Sequence, residues 1–218
     1  MSKAKPVIAV IAAGIFWGVI SIFVKKLSAF GIDSLQISLI RMVIAVISFS
    51  VFVLVKDKSL FRIRPKDVWI FICTGIVSIT LFNTLYFYTM IHSQASIAVV
   101  LLYTSPVFVM IISALVFKEK ITIQKIIALI LTFAGCVLVA GIIGSSYRIT
   151  FSVLLTGVAS GLFYALYSIF GNIGLQKYNT LTVTVWTFIF GFLGSIPFGK
   201  VGKTISVFVS NPQLIIFG

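Results

Sequence analysis

The 218-residue chain is 60% hydrophobic and only 10% charged, with a mean hydropathy of +1.21. That leaves too little polar surface to cover a domain in water, so a soluble globular fold is excluded. The formal charge of +13 lies almost wholly in short segments between apolar runs. That pattern orients a membrane protein and leaves no polar face for nucleic acid.

Seven spans are predicted, at roughly 7–24, 35–55, 68–90, 95–117, 123–143, 152–172 and 180–198, with an eighth apolar run starting near Leu214. The first follows Lys3 and Lys5 and ends at Lys25-Lys26 without a cleavage site, so it reads as a transmembrane helix and not a signal peptide. Gly14 and Gly18 on it have the small-xxx-small spacing that lets helices approach closely. Trp17 lies too deep for an interfacial anchor and either lines a cavity or packs between helices. In the second span Arg41 is the one charge well inside the membrane. It either snorkels or pairs with a carbonyl, or it faces a polar cavity and attracts anionic groups.

The third span carries Asn83, Tyr86 and Met90 on one face, and an Asn amide in lipid has to meet protein or water. Interhelical hydrogen bonding and substrate contact both fit Asn83 and Tyr86. Pro106 in the fourth span predicts a kink, with Tyr103 and Ser105 supplying local polarity. The sixth span repeats the small-residue spacing at Gly157, Gly161 and Ala165 and places Tyr164 near mid-membrane.

Cys73 and Cys136 sit singly in apolar runs, and no metal, cofactor or disulfide pattern is present. His92 falls at a loop and Glu119 at a turn. Asp33, Asp57, Asp67 and Glu119, the only four acidic residues, all lie outside the spans. Ion relays usually need a carboxylate inside the membrane, so proton coupling is not expected from these spans.

With the N-terminus in the cytoplasm, eleven Lys and Arg fall in cytoplasmic segments against five in external ones, and the 56–66 loop is the strongest anchor. The chain also repeats itself. Ala13 to Phe23 matches Ser160 to Phe170, with Gly14, Phe16, Ser21 and Phe23 recurring identically and Trp17 answered by Tyr164. After a one-residue slip Ser34 to Leu39 continues against Thr180 to Val185, which sets Arg41 against Thr187. A five-helix repeat has an odd number of spans, so its two copies run in opposite directions, as is typical of secondary transporters. A seven-helix receptor or an intramembrane enzyme gives no reason for that symmetry, and no catalytic cluster supports an enzyme.

The order and spacing of several segments resemble EamA-type carriers of the drug/metabolite transporter superfamily. These are Gly14-Ile15-Phe16-Trp17-Gly18, Arg41-Met42, Ser96-Ile97-Ala98, Leu101 to Phe108, Lys118 to Thr122 and Ile127 to Leu138. The resemblance implies a permease or exporter of small organic metabolites, amino acids or drugs. It is expected in the inner membrane as an all-α polytopic bundle of inverted five-helix repeats. Residues 7–143 form the first repeat and 151–218 part of the second. On this reading the chain ends inside the second repeat, as a fragment or a truncation, and a non-transporting membrane protein is the alternative. The expected partners are a small-molecule substrate and the lipid bilayer, with homo-oligomerisation open. Small four-helix multidrug pumps that resemble this superfamily depend on a glutamate in helix 1, and none is present here.

Overall fold

The computed structural model describes residues 4–139 and 149–216. The end of the fifth predicted span (140–143), Arg148, Lys3 and the last two residues of the eighth apolar run lie outside them. The fold is all-α. Helices α1 (Ala4–Ala29) and α2 (Ser34–Lys56) are followed by a third span of three joined pieces: α3 (Val68–Ile72), a π-helical segment (Cys73–Thr80) and α4 (Leu81–His92). The fourth span is two helices, α5 (Ala95–Leu102) and α6 (Ser105–Val116). Then come α7 (Ile123–Val139), α8 (Phe151–Leu175), α9 (Thr180–Ser195) and α10 (Val201–Ser210). Among the described residues five stretches are long and apolar enough to cross a membrane, and three shorter apolar helices accompany them. The protein is a multi-pass membrane protein.

Local chemistry sets the breaks. Between α1 and α2 the chain reverses through Gly31, whose φ of 78° is the left-handed conformation that costs glycine least. Asp33 then caps α2: its carboxylate accepts the Gln36 N–H at 3.0 Å while the Gln36 side chain accepts the Asp33 N–H at 3.0 Å. Asn179 caps α9 by accepting from the Leu181 N–H at 2.9 Å. The ladder stops after Ser195: Ile196 keeps helical geometry and still donates to the Phe192 carbonyl, but Pro197 has no N–H with which to continue it.

The Pro106 kink is a full interruption. Pro106 cannot donate to the carbonyl one turn back, so the helix stops at Leu102 and restarts at Ser105 with the proline in its first turn. The Thr104 hydroxyl donates to the Leu101 carbonyl at 2.7 Å and satisfies one group at the break. The π-helical segment was not foreseen. Its wide turn is bridged by hydroxyls that reach back five residues, Ser78 to the Cys73 carbonyl at 2.7 Å and Thr80 to the Gly75 carbonyl at 3.0 Å. Nor was α10 foreseen.

Two helix pairs in the bundle run antiparallel. Along α2 and α9, Asp33 meets Lys200, Met42 lies against Gly191, and Phe49 stacks on Phe188 at 5.3 Å. Along the third span and α8, Thr89 meets Thr156 and Phe82 meets Tyr164. Gly75 seats the π-helical segment on α9, where an added Cβ would stand 2.6 Å from the Thr187 carbonyl oxygen. The Thr187 hydroxyl donates to that of Thr74 at 2.9 Å, and Thr80 donates to the Gly191 carbonyl at 3.0 Å. In lipid such close backbones and hydroxyl contacts replace the hydrophobic effect as the source of helix association.

Candidate functional site

A cavity of about 470 Å³ opens between α1 and α2 and is closed at its base by Phe87 of α4. Trp17 and Arg41 both line it, so the structure brings together two residues singled out from the sequence. Phe16, Phe23 and Phe49 add three more rings to the wall. The Arg41 guanidinium stands over the Phe87 ring at 5.7 Å, a cation–π contact.

Behind the cavity runs a chain of rings. Trp17 meets Tyr164 edge to face at 6.4 Å, Tyr164 meets Phe82 at 5.1 Å, Phe82 stacks on Tyr86 at 5.6 Å, and Tyr86 meets Phe87 at 6.1 Å. Trp17 and Tyr164 are the residues that the internal repeat sets against each other, and they touch. Asn83 is fully buried one turn from Tyr86. Its amide donates to the Ile79 carbonyl at 2.9 Å, and its oxygen has no partner among the described residues. The Ser38 hydroxyl, one turn before Arg41, is buried and likewise has no partner among the described residues.

Ser105 and Pro106 line a second cavity, about 460 Å³, between α6, α7 and α8, with Glu119 and Lys125 also in its wall. Tyr164 lines this one and contacts Trp17 of the other. Tyr103, at the break between α5 and α6, is 43% exposed and lines neither. Gly157 and Gly161 pack against the fourth span: an added Cβ would stand 2.4 Å from Leu101 Cδ1 in one case and 2.5 Å from Thr104 Oγ1 in the other. Around Gly14 and Gly18 no described atom lies within 4 Å of that position.

Both ends of the bundle are tied by polar contacts that sequence reasoning did not pair. At one end the Asp67 carboxylate accepts from the Lys177 ammonium and, at 2.6 Å, from the Tyr178 hydroxyl, which in turn accepts the Arg64 N–H at 3.1 Å. The Trp186 indole donates to the Phe61 carbonyl beside them at 3.1 Å. At the other end of α2, Lys200 donates to Asp33 at 2.8 Å and Gln36 to the Thr204 hydroxyl at 2.8 Å. Partial burial alone would raise the pKa of Asp33, but Lys200 and the Gln36 N–H outweigh it and hold the carboxyl below its ordinary value. Burial, together with the bond to Asp67, pushes the Tyr178 hydroxyl up. These partners lie 110 to 168 residues apart, so no local motif could have revealed them. The Phe87 platform was equally hidden among 21 phenylalanines.

Comparison with known proteins agrees with this architecture. An uncharacterized transporter of Archaeoglobus fulgidus is 27% identical over 84% of this chain and 63% of its own length. A second from that organism is 24% identical over 89% of this chain and 68% of its own. The uncharacterized transporter YxxF of Bacillus subtilis is 24% identical over 57% of this chain and 40% of its own. The chain thus spans about two thirds or less of the length of these relatives. No solved structure matches it. The match to the EamA-like transporter family covers residues 4–141, well over half the chain, and the protein belongs to that family.

Proposed function

We propose that this protein moves small organic metabolites across the inner membrane by alternating access, with its N-terminus in the cytoplasm and two inverted repeats as the moving parts. The reading rests on one observation. Residues paired by the internal repeat meet in space, Trp17 with Tyr164 beside the cavity and α2 antiparallel to α9. Two halves related in this way can rock about their shared interface, exposing a central site first to one side and then to the other. The polar ties at the two ends of the bundle support the same picture, because opening either end requires one of them to part. No chemical step is needed, and the protein acts by binding and release.

The test is efflux from proteoliposomes of the full-length protein loaded with a panel of amino acids, organic acids and nucleosides. Saturable release of one class is expected. A reversible cross-link between Asp33→Cys and Lys200→Cys, made in a variant lacking Cys73 and Cys136, should stop that release, and reductant should restore it. Release of no class above protein-free liposomes, or release unaffected by the cross-link, would count against the proposal.

A further inference from the structure

Among the described residues Arg41 has no counter-ion. The sequence holds only four acidic residues, and the structure accounts for each of them elsewhere. Asp33 takes Lys200 and the Gln36 N–H, and Asp57 accepts the Ser59 N–H. Asp67 takes Lys177 and Tyr178, while Glu119 takes Lys125. A guanidinium does not shed its proton at working pH, and an unbalanced charge inside a membrane is costly. The Phe87 face offsets part of that cost and supplies no negative charge.

We propose that the counter-ion is the transported molecule: a small organic monoanion, with a carboxylate held by Arg41 and an aromatic or branched apolar body lying among Phe16, Trp17, Phe23 and Phe49. This inference rests on the transporter reading above and names the substrate class of its cavity. The charge follows from the single cation. One guanidinium balances one negative charge, and its planar fork matches a carboxylate in a bidentate pair, whereas a phosphate dianion would remain half unbalanced. The apolar body follows from the wall, where rings and aliphatic side chains surround the one charged group. A cation would meet Arg41 with like charge and no compensating carboxylate. A neutral ligand would leave the guanidinium as it was.

The experiment uses the full-length protein in phosphatidylcholine nanodiscs, carrying Trp69→Phe and Trp186→Phe so that Trp17 is the only tryptophan in these 218 residues, with any tryptophan beyond them replaced in the same way. Its fluorescence is titrated with phenylacetate, 2-phenylethanol and phenethylamine, which share a ring and differ in charge. A saturable change is expected with phenylacetate, at an affinity at least tenfold above the other two. Arg41→Gln should abolish that preference and Arg41→Lys should keep it. The comparison of three probes on the Arg41 protein stands even where the glutamine variant fails to fold. Phosphatidylglycerol added to the discs should leave the phenylacetate affinity unchanged; strong competition would assign Arg41 to a lipid headgroup and overturn the proposal. Equal binding of the alcohol or the amine, or unchanged binding in a folded Arg41→Gln variant, would overturn the substrate class, while efflux from the loaded panel would still stand for transport. No saturable change with any of the three probes would overturn the cavity as a binding site.

Discussion

Gly161 of α8 lies so close to the fourth span that an added Cβ would stand 2.5 Å from Thr104 Oγ1, whereas no described atom comes within 4 Å of that position at its repeat counterpart, Gly14 of α1. The two helices share a pattern of small, aromatic and hydroxyl residues and use it differently. In α8 the small face is spent on packing: Gly157 seats Leu101, and Ser160 and Ala165 are fully buried. In α1 the glycine face meets no neighbour among the described residues, while the aromatic face, Phe16 and Trp17, lines the cavity. Only 11% of the most apolar stretch of α1 is buried against 33% for that of α8. One helix is thus anchored in the bundle, and the other is a loosely held wall of the cavity. A repeated sequence pattern specifies a helix and its faces. What covers each face depends on the neighbours.

The largest effect is expected where this difference is greatest. Gly161→Leu should force α8 away from the fourth span and destabilise the protein by about 1–3 kcal/mol or more, as overpacking does. Gly14→Leu should change stability by less than about 0.5 kcal/mol, as open surface positions do. Thermal unfolding of the two variants in one detergent checks the pair, and equal losses would erase the distinction between the helices.

A smaller contrast should appear at the ring pair. Tyr164 meets Trp17, Phe82 and Tyr167, whereas the tryptophan has Tyr164 as its ring partner. At about 0.5–1.5 kcal/mol per aromatic contact, Tyr164→Ala should lower stability clearly more than Trp17→Ala. The reverse order in chemical denaturation would mean that α1 is held more firmly than its packing indicates. Smaller again is the hydroxyl pair between Thr187 and Thr74. Thr187→Val should cost about 0.6 kcal/mol, the average for an interhelical hydrogen bond in a membrane, and a null result would leave the seating of the π-helical segment to Gly75 and Thr80.

Much of this arrangement is legible in the sequence. Apolar runs of bilayer length place the helices to within a few residues, because every backbone group in lipid has to be satisfied inside its own helix. Pro106 predicts the fault between α5 and α6, since it cannot donate to the turn before it. The π-helical segment is not legible, because Ser78 and Thr80 bond equally well at ordinary helical spacing; the close seat of Gly75 on α9 accompanies the wider turn. Within the site, Trp17 and Arg41 stand out as an aromatic and a charge too deep for the interface. Their shared wall does not, since the sequence carries no record of which phenylalanines face them. The four acids read as loop residues, and their partners are set by tertiary contacts more than a hundred residues away in two of the four cases.

The smallest effect concerns the tie between Asp33 and Lys200. Both side chains are partly exposed, so the pair contributes little. Its sign is fixed all the same. The carboxyl pKa is lower in the folded protein than in the unfolded chain, so its contribution is present above the unfolded value and is lost as pH falls through the folded one. Lys200→Met should therefore reduce acid sensitivity slightly in melting curves taken from pH 6 down to pH 3, and an unchanged curve would make the contact energetically silent.

The account depends most on the two tied ends of the bundle facing opposite sides of the membrane, with the 56–66 loop inside. In a variant lacking Cys73 and Cys136, single cysteines at Lys58 and at Lys203 test this directly in intact cells. A membrane-impermeant maleimide should label Lys203→Cys from outside and reach Lys58→Cys only after permeabilisation. Labelling of Lys58→Cys in sealed cells would contradict the orientation and, with it, the assignment of the two ends to inner and outer gates.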